Sequence, residues 1–437
     1  MTAMLHKAMA SNTTKRFYPL VIFAMLHIII FMVIFQGAFP DSSEYPNYAE
    51  GDSRSLYFHY ADRVFEGELP YQDFDIEYAP LSLPLFLIPR VFAESDIGYH
   101  IAFAVEMLLF NLIGMWALWA LAKRLGYSAI TVLSIYTIGL LSLGPTIIDH
   151  FDLAAAVLVL LAIWAFISGK NTLAWVFLAL GTMIKIFPII IVPILALYLL
   201  RRNDLRNILK GGLAFAATLI IVSIPCMCIS FDGFVDSFTY HSERGLQVES
   251  TYASILLLGH NWGISSIETD LIAESGSWEI ISSTADFMAR YSPLIVLFLL
   301  ALVYGVYARR EWMGRSLDER EFHSRLITFS ILAIIVFMLA NKVFSPQYII
   351  WLYPLIPLIS GRWRIFSWAI YATIALMTVY IFSYHYDYIF SDHYLDLVYD
   401  LDSVPIYVLA LRNLLLFFMV FTLLDFRWPV FRRKEIT

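Results

Sequence analysis

Charge is what this sequence has least of. Only 15% of its 437 residues are Asp, Glu, Lys or Arg, while 60% are hydrophobic. Ordinary soluble chains carry roughly 25% charged residues, so too little polar surface is present to cover a folded body in water, and a soluble domain is excluded. Cysteine is almost missing as well. Cys226 and Cys228 sit one residue apart in an apolar run, a spacing that suits neither a zinc site nor a disulfide framework, and they read as lipid-buried thiols. There is no Gly-rich nucleotide loop and no metal-ligand cluster of clear spacing, so no cofactor and no metal are expected. The first apolar run follows Lys7, Lys15 and Arg16 without an A-x-A-type cleavage site, and reads as a retained helix, not a signal peptide. No low-complexity tract or repeat of 20–50 residues is visible. The net charge of −7 matters less than where each sign falls, and no nucleic-acid partner is expected.

Apolar runs and aromatics are abundant. Runs able to cross about 30 Å of hydrocarbon lie near residues 17–38, 97–121, 128–145, 150–168, 210–231, 291–308, 323–341, 346–360, 365–384 and 403–424. The stretch 171–200 is too long for one span, and Gly181, Lys185, Pro188 and Pro193 interrupt it. It divides into two short or broken helices of a kind tolerated where protein or water lines the break. The expectation is an all-α polytopic membrane protein of about twelve crossings, forming one domain over residues 1–437. Aromatics make up 16% of the chain, with 26 Tyr and 11 Trp, as suits membrane interfaces. Lys and Arg cluster at the N-terminus, at 123–124, 170, 201–210, 309–315, 362–364 and 427–434, in alternate loops. Basic short loops mark the cytoplasmic side, so both termini are expected inside. The connections 39–96, 145–150, 232–290 and 385–402 then face outside.

The first outer loop holds an unusual density of carboxylates. Leu56, Tyr57, Tyr60, Ala61, Val64 and Phe65 recur at helical spacing behind Asp52 and Ser53, both good helix N-caps. An amphipathic helix at the membrane surface is expected there, with Asp62 facing solvent. A Gly-Glu-Leu-Pro turn, Asp73, Asp75 and Glu77, and Tyr78-Ala79-Pro80 follow, leading to an apolar segment at 81–92 too short to span.

The string GDSRSLYFHYADRVFEGELPYQDFDIEYAPL resembles the "D…Y…A…G..PY.D…EYPPL" pattern of the first outer loop in glycosyltransferases of family 87. Three further segments agree, in the same order: FDLAAAVLVLLA with LGTMIKIFPIIIVPIL at 151–194, YHSERGLQVESTY at 240–252, and FSPQYIIWLYPL at 344–355. The likeness runs from about residue 45 to 355. One departure is Ala79, where the family usually has a second proline. The resemblance implies a GT-C-type fold and transfer of a hexose, mannose in the first instance and arabinose as an alternative, from a polyprenyl-phosphate sugar to a lipid-linked or envelope glycan. Outer loops 39–96 and 232–290 would roof the cavity. It also implies Asp52 as general base, with Glu77 and Tyr78 matching the EYPP element. A sugar hydroxyl needs such a base, worth about 10²–10⁴ in rate. A polyprenyl phosphate leaves as an anion once cations offset its charge, and His241, Arg244 and Lys185 are the candidates.

Each candidate has a plainer reading beside it. Asp52 could be a helix cap alone, and Asp73, Asp75 and Glu77 a solvated charge run. Asp149, His150 and Asp152 could begin a solvated helix, or line a wet pocket for the sugar, because charges near hydrocarbon are costly unless hydrated or paired. Lys185 could snorkel, Arg244 could pair with Glu249 within its loop, and Gln347 could be part of the turn formed with Lys342, Ser345 and Pro346 or bind sugar. A transporter or lipid flippase is the rival class, since broken helices mark transporter sites, although no second interrupted pair completes an inverted repeat. A structural scaffold for polysaccharide assembly is the third.

Overall fold

The computed structural model describes residues 2–37, 52–264, 266–272, 277–313, 318–384 and 404–425. Expectations that fall on 39–51, 385–402 and 427–434 lie outside the described residues. In chain order come α1 (Thr2–Gly37), a π-helical turn (Ser53–Tyr57) that runs into α2 (Phe58–Phe65), α3 (Ser82–Phe92), α4 (Asp96–Leu125), α5 (Ala129–Leu143), α6 (Thr146–Asp149), α7 (Asp152–Ile167) and α8 (Asn171–Ile184). A 3-10 turn (Phe187–Ile191) then precedes α9 (Val192–Arg201), α10 (Leu205–Ile229), α11 (Phe231–Glu243), β1 (Leu246–Gln247), α12 (Thr251–Asn261), β2 (Glu268–Ile272) and β3 (Ser277–Ile281). The chain continues with α13 (Ser283–Met313), α14 (Glu319–Ala340), two 3-10 segments (Pro346–Trp351 and Ile356–Leu358), α15 (Arg364–Tyr384) and α16 (Val404–Leu423).

Seven of these helices are long and apolar enough to cross a membrane, and the chain is a multi-pass, mostly helical membrane protein. Length sorts them. The spans α10 and α13 show much of their apolar surface to lipid, whereas the shorter α7 is buried along most of its length. It packs against α8 and α4. At 1.5 Å per residue its 16 residues reach about 24 Å, which suffices for an element enclosed by protein.

The predicted break at Lys185 is present. Lys185 is extended (φ −151°, ψ 139°) and Pro188 begins the next turn. Of the carbonyls that the interruption frees, that of Met183 accepts the Leu81 N–H at 2.7 Å, so the first loop satisfies the broken helix. Residues 346–360 differ from the single helix expected. Pro346, Pro354 and Pro357 remove backbone donors too often for an α-ladder, and the segment folds as two buried 3-10 pieces. The loop between α11 and α13 adds a three-stranded antiparallel sheet, ordered β1-β3-β2, with Leu246 opposite Ile280 and Leu271 opposite Trp278.

A buried polar network fastens the bundle. Asn111 Nδ2 donates to His27 Nδ1 (2.7 Å), His27 Nε2 donates to Thr137 Oγ1 (2.9 Å), and Tyr353 OH donates to Asn111 Oδ1 (3.0 Å). Tyr136 stacks on Tyr353 at 4.2 Å and donates to the Asn111 carbonyl. Such cross-helix bonds hold packed helices where apolar contact with lipid gives no preference.

Candidate active site

Asp52 stands at the start of the π-helical turn, yet its side chain makes no capping bond. The N-terminal donor is met from another element. Ser53 N–H donates to Asp149 Oδ1 (3.2 Å), and so does the Ser53 hydroxyl (2.5 Å). With that proton committed, His100 Nδ1–H is the donor to Ser53 Oγ (2.5 Å). Asp149 is therefore a cap, but for the first loop and not for its own helix. The Asp52 carboxylate is left to point elsewhere, 3.4 Å from His150 Nε2 and 3.3 Å from the Tyr57 hydroxyl, which donates to it.

Burial pushes the Asp52 carboxyl up, but the facing His150, the Lys185 ammonium and the Tyr57 hydroxyl together hold it below the ordinary value of 3.8. It is thus an ionised carboxylate at neutral pH. One turn away, Asp152 opens α7. Its carboxylate takes Lys185 Nζ at 2.8 Å and the Trp351 indole N–H at 2.6 Å. Lys185 also lies 4.8 Å from the Phe151 ring centroid and 5.6 Å from that of Tyr348, both within cation–π range. The break in the helix therefore brings its lysine to the start of α7 rather than to headgroups.

Aromatic rings form the wall beside Asp52. Tyr57, Phe86, Phe151 and Tyr78 contact one another with centroids 4.5–6.0 Å apart. Glu77 is half-buried and lies near enough to Tyr57 and Tyr78 to act on both hydroxyls. Asp73 and Asp75 are exposed. Asp62 is not free in solvent but pairs with Arg90 at 3.0 Å.

The second loop supplies Arg244. Its guanidinium donates to Ser277 Oγ (2.6 Å) and lies 4.0 Å from Glu279. The loop pairing expected with Glu249 is made with Glu279 instead, because β3 runs beside β1 and carries Glu279 there. Arg244 still acts electrostatically on Tyr348, as does Asp152, so the second loop and the start of α7 meet around that ring. The Arg244 carbonyl accepts from Lys342 Nζ. Gln247 bonds Ser345 and the Phe344 N–H, fixing the turn before Gln347, which is half-buried. The His241 side chain lies outside the described residues. Among the described residues no three His, Cys, Asp or Glu side chains are grouped as metal ligands.

Asp52, Tyr78, His150, Asp152 and Lys185 thus form one cluster, with Glu77 and Arg244 at its edges. Ser53, His100, Gln247 and Trp351 belong to the same region and were not anticipated. An indole 199 residues from the carboxylate it serves leaves no local signal. His100 follows a plain N-cap Ser95, and nothing in its neighbourhood marks it.

Comparison with known proteins agrees in kind. The fold aligns with a crystal structure of ArnT from Cupriavidus metallidurans in the apo state, at 11% identity and a TM-score of 0.42, over 91% of this chain and 76% of that one. In sequence the chain is 23% identical over 375 residues to GPI mannosyltransferase 1 of Dictyostelium discoideum, covering 80% of this chain and 78% of that protein. It is 23% identical over 335 residues to GPI mannosyltransferase 1 of Debaryomyces hansenii, covering 70% and 73%. The family model for glycosyltransferase family 87 matches residues 77–346, more than half of the chain. With its polytopic helices and the carboxylate–cation cluster at one end, the chain belongs to glycosyltransferase family 87 and is a membrane glycosyltransferase.

Proposed function

We propose that this enzyme transfers a mannosyl unit from a polyprenyl-phosphate donor to a hydroxyl of a lipid-linked or envelope glycan, by a single inverting displacement in a GT-C-type cavity on the outer face. The observation that carries this reading is the state of Asp52. Its carboxylate is released from capping duty, ionised, and set near Tyr78, a half-buried ring of the kind that stacks on sugars. A carboxylate so placed can take the acceptor proton as the hydroxyl oxygen attacks the anomeric carbon. The bond from that carbon to the phosphate oxygen breaks, and the polyprenyl phosphate departs as an anion. Arg244 and Lys185, with His241, are the cations that offset its charge.

Mannose is favoured because the curated relatives described above are mannosyltransferases by name. Loops 39–96 and 232–290 roof the site in this reading, with both termini cytoplasmic. The rival transporter class drew on the broken helix, and family membership stands against it. The test is transfer of radiolabelled mannose from polyprenyl-phosphate mannose to membrane glycolipids, by wild type and by Asp52→Asn at equal expression. Label in the glycolipid with wild type alone supports donor, reaction and base together. Equal transfer by both removes Asp52 from the chemistry. No transfer by wild type sends the search to other donor sugars.

A further inference from the structure

His150 is the group of the cluster whose geometry least suits the sugar contact expected for it. Its side chain is fully buried (0% exposed), so it offers a ligand no surface. Both ring nitrogens are already directed. Nδ1 lies 2.9 Å from the Thr146 carbonyl oxygen, and because a carbonyl only accepts, Nδ1 carries a proton. Nε2 faces Asp52 Oδ2 at 3.4 Å, within ion-pair range though longer than a full hydrogen bond. A neutral imidazole with its proton on Nδ1 would turn a lone pair toward a carboxylate. The arrangement is attractive only when a second proton sits between Nε2 and Asp52.

We propose that His150 is a positioning residue for Asp52: an imidazolium anchored on the Thr146 carbonyl, which orients the carboxylate and keeps it ionised for proton abstraction. The proposal rests on reading Asp52 as the general base. His150 acts on the reaction only through that carboxylate and touches neither sugar. Among the described residues, the other charged or titratable groups that act on the pair come from several elements. Lys185, at the end of α8, and Tyr57, one turn along from Asp52, act on Asp52. Asp149 and Asp152, on the two sides of His150 in sequence, act on His150. Tyr78 lies close enough to Asp52 to be influenced by it. Lys185 is already paired with Asp152, so it is His150 that provides Asp52 with its directly facing positive charge.

The deciding readout is the titration of Asp52 itself, which needs no donor sugar. The full-length protein in lipid nanodiscs is titrated with acid while difference infrared spectroscopy follows the carboxylic-acid C=O stretch. The Asp52 band is assigned by its loss in Asp52→Asn. In His150→Gln, which keeps an amide of similar length without the charge, Asp52 takes up its proton at a pH higher by about 1–3 units than in wild type. In mannosyl transfer, the acid limb of the kcat/KM profile moves upward by the same amount, while KM for donor changes little. Unaltered Asp52 titration in a folded His150→Gln overturns the proposal, whatever happens to the rate. A KM effect with no movement of the limb does the same, since that is the mark of a sugar contact.

A reciprocal measurement covers the case in which His150→Gln does not fold. In protein labelled with ¹⁵N-histidine, one imidazole titrates about 1–3 pH units lower in Asp52→Asn than in wild type. If no histidine responds to Asp52→Asn, the pair is not coupled and the proposal falls. If wild type shows no mannosyl transfer while both titrations shift as stated, the pairing stands and it is the proposed donor that has failed.

Discussion

The two ends of the helix bundle use the same charged residues to opposite effect. At the end that holds Asp52, two pairs lie largely out of water, His150 with Asp52 and Lys185 with Asp152. At the other end, the termini of α4, α9, α13, α14 and α16 come together through Arg320 beside Gly126, Arg202 with Glu319, Arg325 with Glu311, and Arg310 with the Leu424 carbonyl. Arg362 pairs with Asp425 at 2.8 Å there, with side chains 51% and 57% exposed. Exposed pairs pay for ordering two long side chains and gain little in water. Pairs removed from water stand or fall by their geometry, and losing one partner strands the other. Composition alone does not separate the weak pairs from the costly ones; burial does, and Glu311, whose side chain is 0% exposed, is the buried partner at the second end.

The largest expected effect is on rate and not on stability. Asp52→Asn should lower kcat by about 10²–10⁴ while thermal unfolding in detergent stays cooperative. A residual rate above a tenth of wild type would move the base elsewhere, Glu77 being next in line. Next comes Asp152→Asn, which leaves the Lys185 ammonium without its counter-charge and offers it and the Trp351 indole a single amide oxygen. A loss of about 3–5 kcal/mol is expected, read as a fall in unfolding midpoint together with lost activity. An unchanged midpoint would mean that Lys185 escapes to water, and the contrast between the ends would weaken.

A smaller cost attends Ser53→Ala. Asp149 keeps one backbone donor and loses a hydroxyl, so about 1–3 kcal/mol should be lost, with kcat falling as the loop that carries Asp52 loosens. The pH dependence has a definite sign. Asp52 is held below 3.8, so its contribution to stability is complete above that unfolded-state value. It is lost as pH falls through the lowered one. Acid titration of the unfolding midpoint below about pH 4 should therefore be steeper in wild type than in Asp52→Asn. The smallest effect is reserved for the other end, where Arg362→Ala should shift stability by at most about 1 kcal/mol and leave transfer untouched. A larger loss there would erase the distinction drawn between the ends.

Legibility in the sequence followed the range of the interaction. The membrane helices are periodic or continuous apolar runs, and the break at Lys185 is announced by its glycine and prolines, so both were readable. His150 and Lys185 stood out because an ionisable group beside hydrocarbon needs a reason, and Asp52 because it matches the first-loop carboxylate of the family that the sequence resembles. Their pairing did not stand out. Nothing local says that Lys185 meets Asp152 instead of lipid headgroups, or that Arg244 meets Glu279 instead of Glu249. The sheet was missed for another reason. A strand of two residues, Leu246–Gln247, is too short to display alternation, and its partners lie in a loop of mixed polarity. The turns at 346–358 were misjudged because their apolar content matches a helix while their prolines forbid one.

The network around Asn111 has a consequence for how the protein is made. Asn111 enters the membrane as part of α4, whereas Tyr353, which donates to its side-chain oxygen, is 242 residues further along the chain. At ribosomal rates of roughly 5–20 residues per second, that separation is a delay of some tens of seconds at the slower end. During the interval His27, already inserted, satisfies the amide nitrogen of Asn111, while its oxygen waits in a low-dielectric interior. In that order of synthesis the first third of the bundle carries an open acceptor until Tyr353, in the turn between the two 3-10 segments, closes it.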